Sequence, residues 1–541
     1  MQIDVQLTDA EWQSQETPSG TLLWRGFPDS VEDLSRAIAA AAATGHADAT
    51  AAAGHWTAIL RSPSGVILAQ DSVRSWPLFI ATDEHGKRTV TDQIDRARQA
   101  AGDPDRDGAA ALEFLQLGYV TGGDTLFTRI SQLQAGEWRR ISGETDERLS
   151  GALGMKPHVA PGITDVAELD AAFTGALDAV FDRLFDRIGE RQVVIPLSGG
   201  LDSRLLAIAL RERGHQNVVN FTYGVGRTRE VAISEEVAAA LGQRWEFIQY
   251  SNEEIRAAWQ SPAAAEFITA SYAGASLPHI QDWYPVAELR RRGLIADDAV
   301  FLPGHTVVGN MHDEEILVDP QPMSRAALTD VLLHHHATIQ PSHDALRDSP
   351  RFSAKLAEFL DGMQYDGSPA SRLDALESWN IVERQTKYIN HSVRGYEHHG
   401  YEWALPMLDR ELLDVWARFD LSVAQDREWY RGYVDRRYTA ASGQSAPTFE
   451  AFAAANVSKS NRDRVKAVLR GLGLLRRVER GITANAYAQH PMGFQEFVGD
   501  ATPAEVRKFI LRGGLPMGIY TRKFLDDSWN PHTRIFRGQP S

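Results

Sequence analysis

The chain has 541 residues, of which 43% are apolar, and this length predicts two or three domains of ordinary size. The 56 basic residues are outnumbered by 72 acidic ones, and the net charge of −16 disfavours non-specific binding to nucleic acid or anionic lipid. The chain has no cysteine, which excludes disulfides, thiolate metal sites, iron–sulfur clusters and cysteine nucleophiles. Since no apolar run approaches the roughly 20 residues of a membrane span and no signal-peptide pattern is present, we expect a cytoplasmic protein.

The first part of the chain has the pattern of a β-rich domain with a few helices. Short apolar runs bounded by turn-forming residues predict strands at 57–61, 65–69, 77–81 and 138–141. Helices are predicted in the alanine-rich stretch 37–53 and around 111–115. Two prolines and a glycine within 155–164 are typical of a linker. We therefore predict a first domain over residues 1–155.

The second predicted domain, residues 165–541, begins with alternating helices and strands. Apolar residues at three- and four-residue steps over 169–188 predict a long helix. Strand and helix patterns then alternate, in the order 193–197, 204–210, 218–223, 231–241 and 299–302. This alternation predicts a parallel sheet with a ligand site at the carboxyl ends of its strands, and the pattern after residue 330 is mostly helical.

The strongest motif is SGGLDS at residues 198–203, between a predicted buried strand and a predicted helix. Two glycines allow backbone N–H groups to point into one concavity at a helix N-terminus, which favours an anion such as a phosphate chain. The Gly-Lys-Ser/Thr ending of a Walker A loop is absent. The carboxylate of Asp202 suits Mg²⁺. The predicted nucleotide-binding residues are Ser198, Gly199, Gly200, Asp202 and Ser203, and the alternative is a purely structural loop.

With its flanking strand and helix, the motif resembles the PP-loop of ATP pyrophosphatases. Further segments resemble those of the asparagine synthetase family, in the same order along the chain: 65–79, 117–130, 224–242 and 400–409. The resemblance implies an α/β protein, in which a degenerate amidotransferase-like, Ntn-type α+β domain precedes a parallel-sheet PP-loop domain with a mostly helical C-terminal part. It also implies ATP and Mg²⁺ as cofactors and a ligase that adenylates a carboxylate.

Two departures from the family pattern narrow the expected activity. Glutamine-hydrolysing members use a cysteine directly after the initiator methionine, whereas this chain has Gln2, so we expect no glutaminase activity by that chemistry. In this respect the chain resembles the β-lactam synthetases and the lasso-peptide cyclases. The second departure is Val308, which stands where the family has an aspartate that binds Mg²⁺.

The resemblance also indicates site residues outside the PP-loop. Gly304 is retained for close approach of the backbone, and His305 stands where relatives have a glutamate or a catalytic tyrosine. His305 is a candidate substrate-binding group or base, and a loop histidine hydrogen-bonded for shape is the alternative. Lys459 is the candidate for a late lysine that neutralises the adenylate, with Arg384 and Lys387 as an alternative basic pair facing the cleft.

The sequence therefore predicts an asparagine synthase-like carbon–nitrogen ligase that forms AMP and transfers the activated carboxylate to ammonia or an amine. The carboxylate stays open between aspartate, a sugar acid and a peptide. A specialised cyclase or amidotransferase is one alternative, and a PP-loop pseudoenzyme that binds nucleotide as a regulator or scaffold is another. We expect small-molecule partners, no nucleic acid and no membrane, and a homodimer stays open.

Overall fold

The computed structural model describes residues 3–48, 52–143, 145–150, 157–158, 161–306, 308, 314–447, 481–482, 484 and 502–526. Three β-sheets lie in this part of the chain. Strands that precede residue 151 form two of them, and strands that follow residue 192 form the third. Part of the predicted linker at 155–164 lies outside the described residues.

The N-terminal part combines two sheets with three described helices. Their bounds are β1 Asp4–Gln6, β2 Gln13–Thr17, β3 Gly20–Pro28, α1 Val31–Thr44, β4 Gly54–Ser62, β5 Gly65–Gln70, β6 Phe79–Thr82, β7 Arg88–Thr91, α2 Ile94–Ala100, α3 Gly108–Leu117, β8 Ile130–Gln132, β9 Trp138–Ser142 and β10 Thr145–Ser150. An antiparallel six-stranded sheet has the order β10-β9-β5-β4-β3-β2. A four-stranded sheet has the order β1-β7-β6-β8, in which β1 and β7 are parallel.

Helix α1 does not coincide with the helix expected at 37–53. It begins after Ser30, whose hydroxyl accepts a hydrogen bond from the Asp33 N–H, and it ends at Gly45, where φ is 74°. Capping residues, rather than the alanine-rich composition, set both ends of this helix.

A five-stranded parallel sheet forms the centre of the second part, in the order β13-β12-β11-β14-β15, which confirms the predicted parallel sheet. The bounds are α4 Val166–Ile188, β11 Val193–Pro196, α5 Leu201–Glu212, β12 Val218–Gly224, α6 Arg229–Ala240, β13 Arg244–Gln249, α7 Asn252–Trp259, α8 Pro262–Ser271, α9 Trp283–Arg291, β14 Val300–Phe301 and β15 Glu402–Trp403. Val193, Val194 and Ile195 of the central strand are fully buried, as expected for a parallel strand covered on both faces.

The remaining described residues are mostly helical, as predicted. The bounds are α10 Glu314–Leu317, α11 Arg325–His336, α12 Asp344–Arg347, α13 Pro350–Gly362, α14 Pro369–Trp379, a π-helix Asn380–Ile389, 3₁₀ turns Asn390–Ser392 and Pro406–Leu408, α15 Val393–His398, α16 Arg410–Trp416, α17 Leu421–Ala424, α18 Glu428–Ser442, α19 Pro503–Leu511 and α20 Pro516–Leu525. A π-helix of this length is rare, and π-helical segments are often found at functional sites.

The two parts of the molecule share a hydrophobic core. One cluster of buried side chains includes Trp76 and Phe127 from the N-terminal part together with Phe173 and Phe301 from the second part. Polar contacts reinforce this boundary, since the Trp76 indole donates a hydrogen bond of 2.9 Å to the carboxylate of Glu397. No helix within the described ranges is long and apolar enough to cross a membrane.

Candidate functional site

The SGGLDS motif forms the turn between β11 and α5 at the carboxyl edge of the parallel sheet. Helix α5 begins at Leu201, directly after the two glycines. The hydroxyl of Ser203 accepts a hydrogen bond of 3.1 Å from the Ser198 N–H, and the hydroxyl of Ser198 accepts one of 3.2 Å from the Gly200 N–H. The predicted strand, turn and helix are confirmed, and the N–H groups of the first helical turn are placed to bind an anion.

The guanidinium of a buried arginine, Arg204, holds this turn in place. This role was not predicted from the sequence. Arg204 is 3% exposed, and its guanidinium donates hydrogen bonds to the carbonyl oxygens of Gly199, at 3.3 Å, and Pro447, at 3.0 Å. It therefore links the turn to Pro447, which follows α18. The available signal was a charged residue directly before the apolar run 205–210 of the predicted helix.

Gly304 lies against the first turn of α5. A Cβ atom added at Gly304 would lie 2.7 Å from the backbone nitrogen of Ser203, closer than real Cβ atoms approach. The loop after β14 therefore passes directly over the N-terminus of α5, and a side chain at this position would push the two apart. The structure thus brings Gly304 and the PP-loop residues together.

Asp202, the predicted metal ligand, forms an ion pair in this structure. Its Oδ1 atom accepts a hydrogen bond of 2.9 Å from Arg427, which directly precedes α18. Burial raises the pKa of Asp202, against the opposing effect of the Arg427 charge. The same carboxylate contributes, after burial, to the raised pKa of Tyr430. No sequence pattern distinguishes Arg427 from the other arginines of the chain, so it was missed.

His305 directly follows Gly304 and lies at the edge of this site. Its Nε2 atom is 3.2 Å from the hydroxyl of Ser392, at the end of the turn Asn390–Ser392. Burial, and after it the nearby His279, lower the pKa of His305 to about 4. Burial also lowers the pKa of His279 to about 4. Both imidazoles are therefore neutral near pH 7, and His279 is a neighbour that the sequence did not reveal.

Residues 177–296 match the family model described as asparagine synthase. This segment of the chain is therefore similar to the asparagine synthase family. The matched residues include the 198–203 turn and end before Gly304. No curated protein matches the chain significantly.

Solved structures similar to this chain include two that are described as follows. One is an NH3-dependent NAD synthetase from Campylobacter jejuni subsp. jejuni NCTC 11168 in complex with the nitrate ion, 14% identical, covering 37% of this chain and 84% of that one, with a TM-score of 0.20. The other is a predicted subunit of tRNA methyltransferase from Methanocaldococcus jannaschii DSM, 20% identical, covering 34% of this chain and 92% of that one, with a TM-score of 0.15. Scores this low establish no shared fold.

The carboxylate of Asp202 beside the anion-binding turn fits Mg²⁺ bound together with nucleotide phosphates, since Mg²⁺ is usually bound through one or two carboxylates and substrate phosphates. Among the described residues, no group of three or more histidine, aspartate or glutamate side chains is placed to hold a metal ion. Asp202 as a metal ligand therefore stays a prediction. Val308, where a second aspartate was expected, is 1% exposed and belongs to the hydrophobic core.

The basic candidates from the sequence have different locations. Lys387 does not face the cleft as predicted, because its ammonium group is buried and donates hydrogen bonds to the carbonyl oxygens of Val120 and Gly122 in the N-terminal part. Arg384 is half-buried and close enough to His279 to lower the pKa of that histidine, after burial. Lys459 lies outside the described residues, and its assignment stays a prediction.

Proposed function

We propose that the protein is an ATP-dependent ligase that forms AMP and pyrophosphate while it joins a carboxylate to ammonia or an amine. The observation that carries this proposal is the anion-binding turn at the N-terminus of α5, with Asp202 inside it, in a domain that matches the asparagine synthase family. The expected location is the cytoplasm, and the expected partners are small molecules.

The proposed reaction has two steps. In the first, a carboxylate oxygen of the substrate attacks the α-phosphorus of ATP, the bond to the β-phosphate oxygen breaks, and pyrophosphate leaves. In the second, the lone pair of an unprotonated nitrogen attacks the acyl carbon, the acyl–oxygen bond breaks, and AMP leaves with the electron pair. The nitrogen loses one proton, so the second step needs a group or a solvent molecule that accepts it.

Each residue of the site has a role in this scheme. The N–H groups at the start of α5 would bind the β- and γ-phosphates, and the backbone at Gly304 would lie beside the α-phosphate. Asp202 would hold Mg²⁺, which neutralises phosphate charge when bound. A general base is most effective when its pKa lies near the operating pH, and a group with a pKa of about 4 is unprotonated but weakly basic there, so His305 is better suited to orient the substrate as a neutral hydrogen-bonding group.

The nitrogen donor in this proposal is ammonia or a primary amine rather than glutamine. The absence of cysteine from the sequence removes the nucleophile that the glutamine-hydrolysing relatives use. We propose that the N-terminal part is an Ntn-type amidotransferase-like domain that has lost glutaminase chemistry and retains a structural role.

Isotope transfer tests the proposal directly. The purified protein is incubated with Mg²⁺-ATP, ammonium and pools of ¹⁸O-labelled carboxylic acids, including aspartate, uronic acids and peptides. AMP and pyrophosphate should form, and one ¹⁸O atom should appear in the phosphate of AMP, because the adenylate breaks at the acyl–oxygen bond. Release of ADP, or AMP without label in the presence of amide product, would contradict the mechanism.

Two observations favour a nucleotide-binding pseudoenzyme as the second candidate. Val308 is buried in the core at the expected aspartate position, and Asp202 is engaged by Arg427. In this case the protein would bind ATP at the same turn and release neither AMP nor ADP. Isothermal titration with ATP in the absence of acceptors, followed by the isotope experiment, separates the two candidates.

A further inference from the structure

We propose that Arg74 of the N-terminal part is a positioning residue for the ligase site, which acts on His305 through the turn Asn390–Ser392. The proposal rests on the function proposed above, because His305 is assigned to the substrate there. It gives the N-terminal part a specific task in the reaction of the second part.

Contacts within the N-terminal part fix the conformation of Arg74. It lies in the turn after β5 and has a φ of 55°, which is uncommon for a residue with a side chain. The buried carboxylate of Asp71 accepts hydrogen bonds from two backbone N–H groups of this turn, at 3.1 and 3.0 Å. The guanidinium of Arg74 is buried and donates to the carbonyl of Leu133, at 3.1 Å, and to the side chain of Gln132. The direction of its remaining nitrogen is thereby fixed.

That remaining nitrogen contacts a buried histidine of the second part. Nη1 of Arg74 is 3.2 Å from Nε2 of His391, and Nδ1 of His391 is 3.1 Å from the hydroxyl of Ser276. Burial and the nearby arginine charges hold the pKa of His391 well below its usual range, so the ring is neutral. Because a guanidinium only donates, Nε2 must accept, and the single ring proton lies on Nδ1, the atom that faces the Ser276 hydroxyl. The ring is therefore fixed at both nitrogens.

The next residue along the chain transmits this arrangement to the site. The Ser392 hydroxyl is 3.2 Å from Nε2 of His305, and His305 follows Gly304, which packs on Ser203. The contacts thus run from the N-terminal sheets to the anion-binding turn through one short segment.

The N-terminal part also holds the other end of this segment. The carboxylate of Glu383, in the π-helix, accepts a hydrogen bond of 3.0 Å from the Gly122 N–H, and Lys387 donates one of 2.7 Å to the Gly122 carbonyl. Lys387 and Glu383 also bond to each other, at 2.6 Å. Since both ends of residues 383–392 are attached to the N-terminal part, the position of Ser392 depends on it.

The test compares Arg74→Met with Arg74→Lys and with Arg140→Met. Methionine removes the donors but keeps much of the apolar volume, and lysine restores a single cationic donor. Arg140 is a matched control, because its guanidinium donates to the carbonyl oxygens of Ala41 and Ala42 and pairs with Glu147, all within the N-terminal part. The readouts are kcat and KM for the isotope-transfer reaction, and the ring signals of His305 and His391 in protein carrying labelled histidine, assigned with His305→Gln and His391→Gln.

We expect Arg74→Met to lower kcat by up to about fivefold, no more than loss of the His305 contact with Ser392 itself, while KM for ATP changes less than about twofold. The His305 ring signals should shift, Arg74→Lys should recover part of both effects, and Arg140→Met should leave both unchanged. The proposal is overturned if the His305 signals in Arg74→Met match those of the natural protein, or if Arg140→Met produces the same changes.

The ring signals keep this test separate from the test of the ligase function. If no carboxylate yields AMP but the His305 signals still respond to Arg74→Met, the proposed function fails and the coupling stands. If Arg74→Met does not fold, Ser392→Ala decides: loss of its hydroxyl should shift the His305 signals and leave those of His391 in place. Unchanged His305 signals in Ser392→Ala would overturn the proposal.

Discussion

The N-terminal sheets and the parallel sheet differ in how their strands are connected, and therefore in whether distant residues meet at one edge. In the six-stranded N-terminal sheet all neighbouring strands are antiparallel and successive strands are joined mainly by short turns, as between β4 and β5. In the parallel sheet, the chain leaves the carboxyl ends of β11 and β14 at the same edge, so the turn 198–203 and Gly304 meet there. The parallel sheet therefore collects distant residues at one site, as expected for its topology.

This difference gives the two parts different expected sensitivities to substitution. Changes at the carboxyl edge of the parallel sheet should impair nucleotide chemistry with little effect on folding. Changes in the N-terminal part should act on stability, or on the site only through contacts such as that between Arg74 and His391.

The largest effect is expected for Asp202→Asn. The amide cannot supply the negative charge that Mg²⁺ requires, and loss of one charge-stabilising group typically lowers kcat by about a hundredfold or more. The matched control is Asp178→Asn, which alters an exposed ion pair with Arg213 on the outer side of α4 and should change kcat less than about twofold. Steady-state AMP release measures both variants. Near-natural turnover of Asp202→Asn would place the metal elsewhere.

A smaller loss is expected for Gly304→Ala. The added methyl group would lie 2.7 Å from the Ser203 nitrogen, so the loop after β14 or the N-terminus of α5 must move. Overpacking of this kind typically costs about 1–3 kcal/mol, and if that cost falls on the bound state it corresponds to a loss of about fivefold to 150-fold in ATP affinity. Isothermal titration calorimetry measures the affinity.

Gly175→Ala provides the control for that experiment. Gly175 lies inside α4, and a Cβ there would meet nothing within 4 Å. This variant should bind ATP normally and be more stable by up to about 1 kcal/mol, because alanine favours the helix. Equal losses of ATP affinity in both variants would show that the contact between Gly304 and Ser203 is unimportant.

A moderate effect is expected for substitution of His305. Glutamine keeps hydrogen-bonding groups and should retain most of the turnover, whereas leucine loses the contact with Ser392 and should lower kcat about fivefold, the equivalent of about 1 kcal/mol for one hydrogen bond. With the pKa of His305 at about 4, the imidazole is almost entirely neutral near neutral pH. The rate at constant free amine should then show no His305-dependent step near pH 6.5. Such a step, absent from His305→Gln, would identify His305 as a base.

Features encoded within a few neighbouring residues could be predicted from the sequence. The turn 198–203 needs only a buried strand, two glycines and a helix start, and all of these are adjacent along the chain.

Strand β13 was missed because Arg244 and Glu246 interrupt its apolar pattern, as is tolerated at a sheet edge. The partners of the site were also missed: Arg427 meets Asp202 across 225 positions, and Arg74 meets His391 across 317. Such pairs are set by tertiary packing, which no local pattern records.

Glutamine should have no effect on amide formation, because it should not act as nitrogen donor. The sequence contains no cysteine, and two hydroxyls near its start are poor substitutes. Thr17 donates its hydroxyl proton to the Gly20 carbonyl at 2.7 Å, and Ser14 is exposed on the edge strand β2. Amide formation should therefore depend on free ammonia or amine, and at fixed total amine the rate should rise with pH as the nitrogen loses its proton. Glutamate release from glutamine, measured with and without ATP, checks this, and release that matches AMP formation would show that the N-terminal part is a working glutaminase with another nucleophile.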